Sequence, residues 1–225
     1  MILQLVEDGK LKLTDKLGDY FPEIPNSTKI TIRDVMAHRS GIHDITSNRD
    51  LRPERTKPIT KDEMVRIIAM GQPDFEPGSK FSYSNSGYFL LGYLIEKLTG
   101  KSYQEVLNER ISSRIGLINT YIGTGSIDPK KNESFSYVRF DGWKEQPETH
   151  MSILFGSGAL ISTPSDLTTF MKALFDLKLI NQESLNEMKP KDHPYGLGMG
   201  SFKFSGKTFL GHTGGIDGFG SWLAY

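Results

Sequence analysis

Two short stretches of this 225-residue chain hold side chains that could do chemistry together. The first is Tyr83-Ser84-Asn85, which stands just before the apolar run Tyr88 to Leu98. It offers a phenol, a hydroxyl and an amide at the predicted N-terminus of a helix, where the backbone dipole favours negative charge. The second is Gly211-His212-Thr213-Gly214-Gly215-Ile216-Asp217-Gly218. Here an imidazole, a hydroxyl and backbone N–H groups uncovered by glycine suit a carboxylate or a developing carbonyl oxyanion. Each stretch also has a plainer role open to it. Ser84 and Asn85 are good helix caps and Tyr83 could simply pack. Asp217-Gly218 is a hairpin turn signal in its own right.

The elements that must position these stretches are well marked. Pro77-Gly78 gives a turn before Phe81, and Gly100 sits where a helix-ending glycine belongs. The run between them is apolar nearly all round, which predicts a buried central helix. Thr31 to Asp34, Thr60 to Glu63 and Ser102 to Glu105 read as capping boxes, opening helices to about Ala37, Met70 and Arg114. Thr163-Pro164-Ser165-Asp166 supplies an N-cap, an N1 proline and an acidic first turn for a helix to about Leu177. A short helix is expected near Gln182 to Met188. Gly158 to Ser162 reads as a strand, and Tyr195 to Ser205, Thr208 to His212 and Phe219 to Tyr225 as successive antiparallel strands. His43 to Pro58 reads as a loop, and Ile118 to Gly156 as short strands and loops.

Composition removes several function classes. Lys+Arg and Asp+Glu number 27 each, so nothing favours nucleic acid or an anionic surface. There is no cysteine, hence no disulfide, thiol catalysis or Cys-ligated metal. No apolar run approaches the ~20 residues of a membrane span, and Met1 to Val6 lacks the features of a signal peptide. There is no Gly-x-Ser-x-Gly elbow and no Walker loop, and Gly196 to Gly200 lacks the dinucleotide spacing. His38 and His43 lie five apart without the acidic partner of a zincin, so no metal is assigned. His150 and His193 read as surface loop histidines. Met1 to Gly9 reads as the end of a helix with Gly9 beyond it, and Ser221 to Tyr225 as a strand still apolar where the sequence stops. Both ends are therefore expected to continue in a longer protein.

Tyr83-Ser84-Asn85 and His212-Thr213-Gly214, in this order, resemble the second and third motifs of the serine β-lactamase and penicillin-binding-protein superfamily. Supporting segments resemble it too: Leu5 to Leu11, Met36-Ala37-His38-Arg39-Ser40-Gly41-Ile42, Phe75-Glu76-Pro77-Gly78, and Gly156 to Leu167. The resemblance spans Met1 to Tyr225. It points to the branch holding class C β-lactamases, D-alanyl-D-alanine carboxypeptidases, D-aminopeptidases and β-lactamase-like esterases. His212 stands where β-lactamases of that branch usually have lysine, which is more like the peptidase and esterase members. Arg39 replaces a usual threonine.

The resemblance implies an α/β (α+β) fold, with an antiparallel sheet flanked by helices and a mostly helical subdomain, incomplete at both ends. The helical part would be residues 25–157; residues 158–225 with 1–24 would hold the sheet. The first motif, Ser-x-x-Lys, is missing: no serine here has a lysine three residues on. The resemblance places it upstream of Met1. It further implies a serine hydrolase acting through an acyl-enzyme on an ester or amide: a D-amino-acid peptide, a β-lactam or a simple ester. Tyr83 and the Gly215 N–H would be catalytic, as proton shuttle and half of the oxyanion hole. Asn85, His212, Thr213 and Gly214 would bind substrate, and the absent lysine, with His212 as a second candidate, would be the cations that lower the Tyr83 pKa. No cofactor, metal or nucleic acid is implied; the partner is a small-molecule or peptide substrate, and the setting periplasmic or secreted. Cleft loops within Arg49 to Pro58 and Tyr137 to Glu148 would choose the substrate. A non-catalytic homologue binding peptidoglycan-like or peptide ligands, or a regulatory domain with the same fold, is the alternative.

Overall fold

The computed structural model describes residues 1–48, 50–123, 127–191 and 193–225. Arg49, the first residue of one expected cleft loop, lies outside them. The element around which the rest packs is α4 (Asn85–Thr99). Its buried residues include Ser86, Phe89, Leu90, Leu91, Leu94 and Ile95, so it turns apolar side chains in several directions. Leu90 and Leu94 are fully buried, and each such leucine contributes roughly 1.5–3 kcal/mol. Gly100, at φ +67°, turns the chain out of the helix and returns its N–H to the Glu96 carbonyl. The Tyr88 hydroxyl donates to the Met36 carbonyl at 2.8 Å and ties α4 to the end of α2 (Ile32–Met36).

The other helices begin where local chemistry dictates. α2, α3 (Lys61–Met70) and α5 (Tyr103–Leu107) each open with a complete capping box, closed by Asp34, Glu63 and Glu105 respectively. α5 widens through a π turn at Asn108–Ser112 and ends as α6 (Ser113–Ile115), one residue past the expected end. The Thr163 side chain caps α8 (Pro164–Phe175), which stops two residues early. α9 (Gln182–Met188) falls where expected. α1 (Ile2–Glu7) and α7 (Met151–Leu154) complete the described α-helices. His150 is no loose surface histidine: half-buried, it caps α7 by accepting the Ser152 N–H on Nδ1.

The strands form separate antiparallel groups. β5 (Gly200–Phe204), β6 (Lys207–Ile216) and β7 (Phe219–Ala224) make a three-stranded meander in that order. β1 (Tyr121–Ile122) pairs with β4 (Leu160–Ile161), and β2 (Tyr137–Arg139) with β3 (Trp143–Glu145). Two expectations are corrected. Tyr195 to Met199 is not strand; only an isolated bridge joins Tyr195 to Gly200. β6 does not end at His212 but continues to Ile216, because Asp217 (φ +49°) and Gly218 (φ +98°) supply the two left-handed positions of a tight hairpin. α8 lies against β7, where Phe175 and Tyr225 stack at 3.9 Å. The core cluster includes Leu5 of α1, Leu94 of α4, Leu174 of α8 and Met199 before β5, so it runs through both expected subdomains.

Candidate active site

Three chain segments meet around Tyr83. The first is the turn after α2. His38 adopts φ +54° there, and it is 2% exposed. Its Nδ1 accepts the Ser84 N–H at 3.1 Å, and its carbonyl accepts the Ser82 N–H at 2.9 Å. These bonds lay the strand-like approach to α4 along the turn. The Tyr83 ring rests on the imidazole, with centroids 4.2 Å apart, and Tyr88 stacks on it at 4.8 Å. Burial lowers the His38 pKa to about 4, with His212 adding to the effect, so this imidazole is neutral at pH 7. Arg39 donates to the Gly78 carbonyl and lies 3.0 Å from His193 Nε2, joining the turn to Pro77-Gly78. Gly41 cannot be replaced there: its φ is +74° and a Cβ would fall 2.1 Å from the Phe75 carbonyl oxygen.

The second segment is the mouth of α4. Ser84 is the N-cap residue, yet its side chain caps nothing; the buried Oγ has no partner. Asn85 does not cap either. Its Nδ2 donates to Asp44 Oδ2 at 3.0 Å and to Thr46 Oγ1 at 3.1 Å. The capping role read from the sequence is thus replaced by a side-chain bridge to the loop after α2. Tyr83 remains 42% exposed at this mouth. Its pKa is raised, first by burial and then by the Asp44 carboxylate. Among these residues desolvation and a nearby negative charge both favour the neutral phenol, and the lysine expected to lower its pKa is not among them.

The third segment is the far half of β6. The His212 ring lies 6.0 Å from that of Tyr83, and Tyr195 closes the group at 5.7 Å from His212 and 6.5 Å from Tyr83. Pairing with β5 begins at Gly200 opposite Gly211. Pairing with β7 runs from Gly211 to Ile216. In a two-residue hairpin the flanking pair, Ile216 and Phe219, exchanges hydrogen bonds, and bonding then alternates along the ladder. His212, Gly214 and Ile216 thus bond to β7. Thr213 and Gly215 direct their backbone groups to the opposite edge, where β5 has already ended. The Thr213 carbonyl there takes a contact from His212 Nδ1. The glycines serve different ends. A Cβ on Gly211 would fall 1.9 Å from the Leu223 carbonyl oxygen, whereas at Gly215 the nearest atom is 3.9 Å away.

The sequence-predicted residues thus form a grouping in which the Tyr83 and His212 rings lie 6.0 Å apart, Asn85 follows Tyr83 at the start of α4, and Thr213, Gly214 and Gly215 continue β6 from His212. Its chemistry is that of a protonated phenol opposite an imidazole, beside a strand edge with an open backbone donor. Sequence reading missed Asp44, Thr46, His38 and Tyr195. Asp44-Ile45-Thr46 carries a local signal, since Asp44 Oδ1 accepts the Thr46 N–H at 3.0 Å in a short turn. Tyr195 carries none. His38 and His43 serve no common site; His43 pairs with Asp74 at 2.8 Å. No group of three or more His, Cys, Asp or Glu residues that could hold a metal occurs among the described residues. A separate apolar cavity of about 200 Å³ lies on the inner side of α4, against Tyr88, Gly92 and Gly198.

The β-lactamase family model matches residues 1–225. The D-stereospecific amidohydrolase of a Streptomyces species is 32% identical with a TM-score of 0.87, over 96% of this chain and 72% of that one. The D-amino acid amidase of Ochrobactrum anthropi SV3 is 30% identical with a TM-score of 0.86, over 98% of this chain and 67% of that one. The teichoic acid D-alanine hydrolase of Staphylococcus aureus (strain MRSA252) is 26% identical over 199 residues, which is 86% of this chain and 48% of that protein. The chain spans about half the length of the curated relatives it matches.

Proposed function

The chain belongs to the β-lactamase family, and on that premise we propose that it forms the acid–base and substrate-binding wall of a serine hydrolase. The reaction is hydrolysis of an ester or amide of a D-amino acid through an acyl-enzyme. One observation carries the reading: the Tyr83 ring lies 6.0 Å from the His212 imidazole, and from His212 β6 runs on to Gly215 beyond its pairing with β5. The substrate class is supported by the D-amino acid amidase and the teichoic acid D-alanine hydrolase among the similar proteins. Histidine rather than lysine at position 212 is more like the peptidase and esterase members of the family.

None of the 225 residues is the serine of a Ser-x-x-Lys motif, so the nucleophile is a serine outside them. That serine attacks the carbonyl, and the carbonyl oxygen becomes an oxyanion to which the Gly215 N–H donates a hydrogen bond. Tyr83, protonated at neutral pH, gives its proton to the leaving alcohol or amine. It recovers a proton from the serine hydroxyl through the motif's lysine, whose positive charge would also offset the upward pull of burial on the phenol. Asn85, anchored by Asp44, presents its remaining amide oxygen to the substrate's N–H. His212 and Thr213 hold a carboxylate where the substrate has one. The reading implies a periplasmic, secreted or wall-facing setting, and no helix of the described residues is long and apolar enough to cross a membrane.

The test is stereochemical. The complete protein carrying this chain is assayed with D-alanine and L-alanine p-nitroanilide and with the matching methyl esters. The proposal expects turnover of the D-compounds at least about tenfold faster than of the L-compounds. Equal turnover of the two series would overturn the substrate class. No turnover of any of them would favour the ligand-binding alternative.

A further inference from the structure

Asp217 has more bonds than a hairpin turn needs. The turn requires only a residue that tolerates positive φ before Gly218, and asparagine meets that need as well as aspartate does. Yet the Asp217 carboxylate is 8% exposed and fully engaged. Oδ2 accepts the Thr149 N–H at 2.6 Å, Oδ1 accepts the Thr149 hydroxyl at 2.9 Å, and Arg55 Nη2 lies 3.2 Å from Oδ1. The backbone of the same residue is held too, because the Ser136 hydroxyl donates to its carbonyl. Gly218 permits that approach: a Cβ there would fall 2.5 Å from Ser136 Oγ. Arg55 closes the circle. Its carbonyl accepts the His150 N–H at 2.6 Å, and its guanidinium also donates to the Pro147 carbonyl. A buried carboxylate is kept only where charge and hydrogen bonds offset its desolvation, and here the compensating groups come from two other chain segments.

We propose that Asp217 is a positioning residue. Its carboxylate clasps the β6–β7 tip to Thr149 and Arg55, and so fixes both the Gly215 N–H and the rim formed by the loop of Arg55 and the 136–150 excursion. The proposal rests on the hydrolase reading for its kinetic consequence alone; the clasp is physical and has its own readout. Gly215 is two residues from Asp217, on an edge that β5 does not support, and β7 pairing holds it from one side only. The rim loops carry no regular pairing to the meander. Asp217 is where they are fastened to it.

The experiment compares Asp217→Asn, Arg55→Gln and the double variant in the complete protein, by amide hydrogen exchange and by kcat and KM for a D-alanine ester. Asp217→Asn keeps the turn and an acceptor but loses the charge. Each single variant should speed exchange of the Thr149 and Gly215 amides at least about tenfold while α4 amides stay unchanged. Each should lower kcat about tenfold with KM within about twofold, and the double variant should be no worse than the worse single one. Unchanged exchange at Thr149 and Gly215, or additive losses in the double variant, would overturn the clasp. If unaltered protein turns over no ester, the hydrolase reading fails while the exchange result still decides the clasp.

Discussion

Tyr83 shows how environment assigns a role to a side chain. A free phenol is a poor base at neutral pH, and burial together with Asp44 pushes this one further from ionising. The phenol therefore stays protonated among these residues, and we propose that a cation brought beside it would make it a proton shuttle. Its position comes from ring packing on His38, which phenylalanine preserves. Tyr83→Phe in the complete protein should therefore lower kcat for ester hydrolysis by ~10²–10⁴ and leave the melting temperature within about 2 °C; turnover within about threefold of wild type would remove Tyr83 from the mechanism. His38 makes a separate prediction about pH. Its pKa falls from 6.5 in the unfolded chain to about 4 in the fold, so between those values the unfolded state binds the extra proton. Its contribution to stability is complete above pH 6.5 and is lost as pH drops toward 4, by ~3 kcal/mol at 1.36 kcal/mol per unit. Denaturant titrations at pH 7 and pH 4.5 should show this loss in the wild type. The His38→Asn variant, which keeps a residue tolerant of positive φ, should show a clearly smaller one.

The elements differ in how much of them the sequence announces. Capping boxes are local, so the starts of α2, α3 and α5 could be read from four residues each. The same holds for Thr163 before Pro164. Strand limits are not local. β6 outruns its expected end because Asp217 and Gly218 turn the chain only after Ile216. Tyr195 to Met199 is apolar enough for a strand but finds its partners elsewhere, Gly196 sending its N–H to the Met199 carbonyl at 2.8 Å. The site was legible as two motifs, Tyr83-Ser84-Asn85 and His212-Thr213-Gly214. The bridge from Asn85 to Asp44 was not, since it spans 41 positions with no periodicity to mark it. Close packing of α4 on the Phe155–Ser157 turn was equally hidden. A Cβ on Gly156 would lie 2.5 Å from the Tyr88 carbonyl oxygen and 2.8 Å from Gly92 Cα. Gly156→Ala should cost ~1–3 kcal/mol by overpacking, seen as a lower denaturant midpoint with unchanged slope. A midpoint equal to wild type would mean that the turn does not rest on α4.

At the scale of the molecule, one core cluster runs from α1 to the residues just before β5. We propose that residues 25–157 act as a mostly helical subdomain, which brings Tyr83 and Asn85, and that the remainder brings His212 to Gly215. On this proposal the cleft between them would have an acid, an oxyanion donor and substrate anchors, while the 225 residues contain no Ser-x-x-Lys. That division of labour is the central claim, and mapping the acyl adduct tests it most directly. The complete protein and the 225-residue chain are each treated with a penicillin and with a D-alanine ester, quenched, digested and analysed by mass spectrometry. The account predicts one acylated serine in the complete protein, outside these 225 residues and followed three positions later by lysine, and no adduct on the 225-residue chain. An adduct on a serine within it, such as Ser84, would contradict the account.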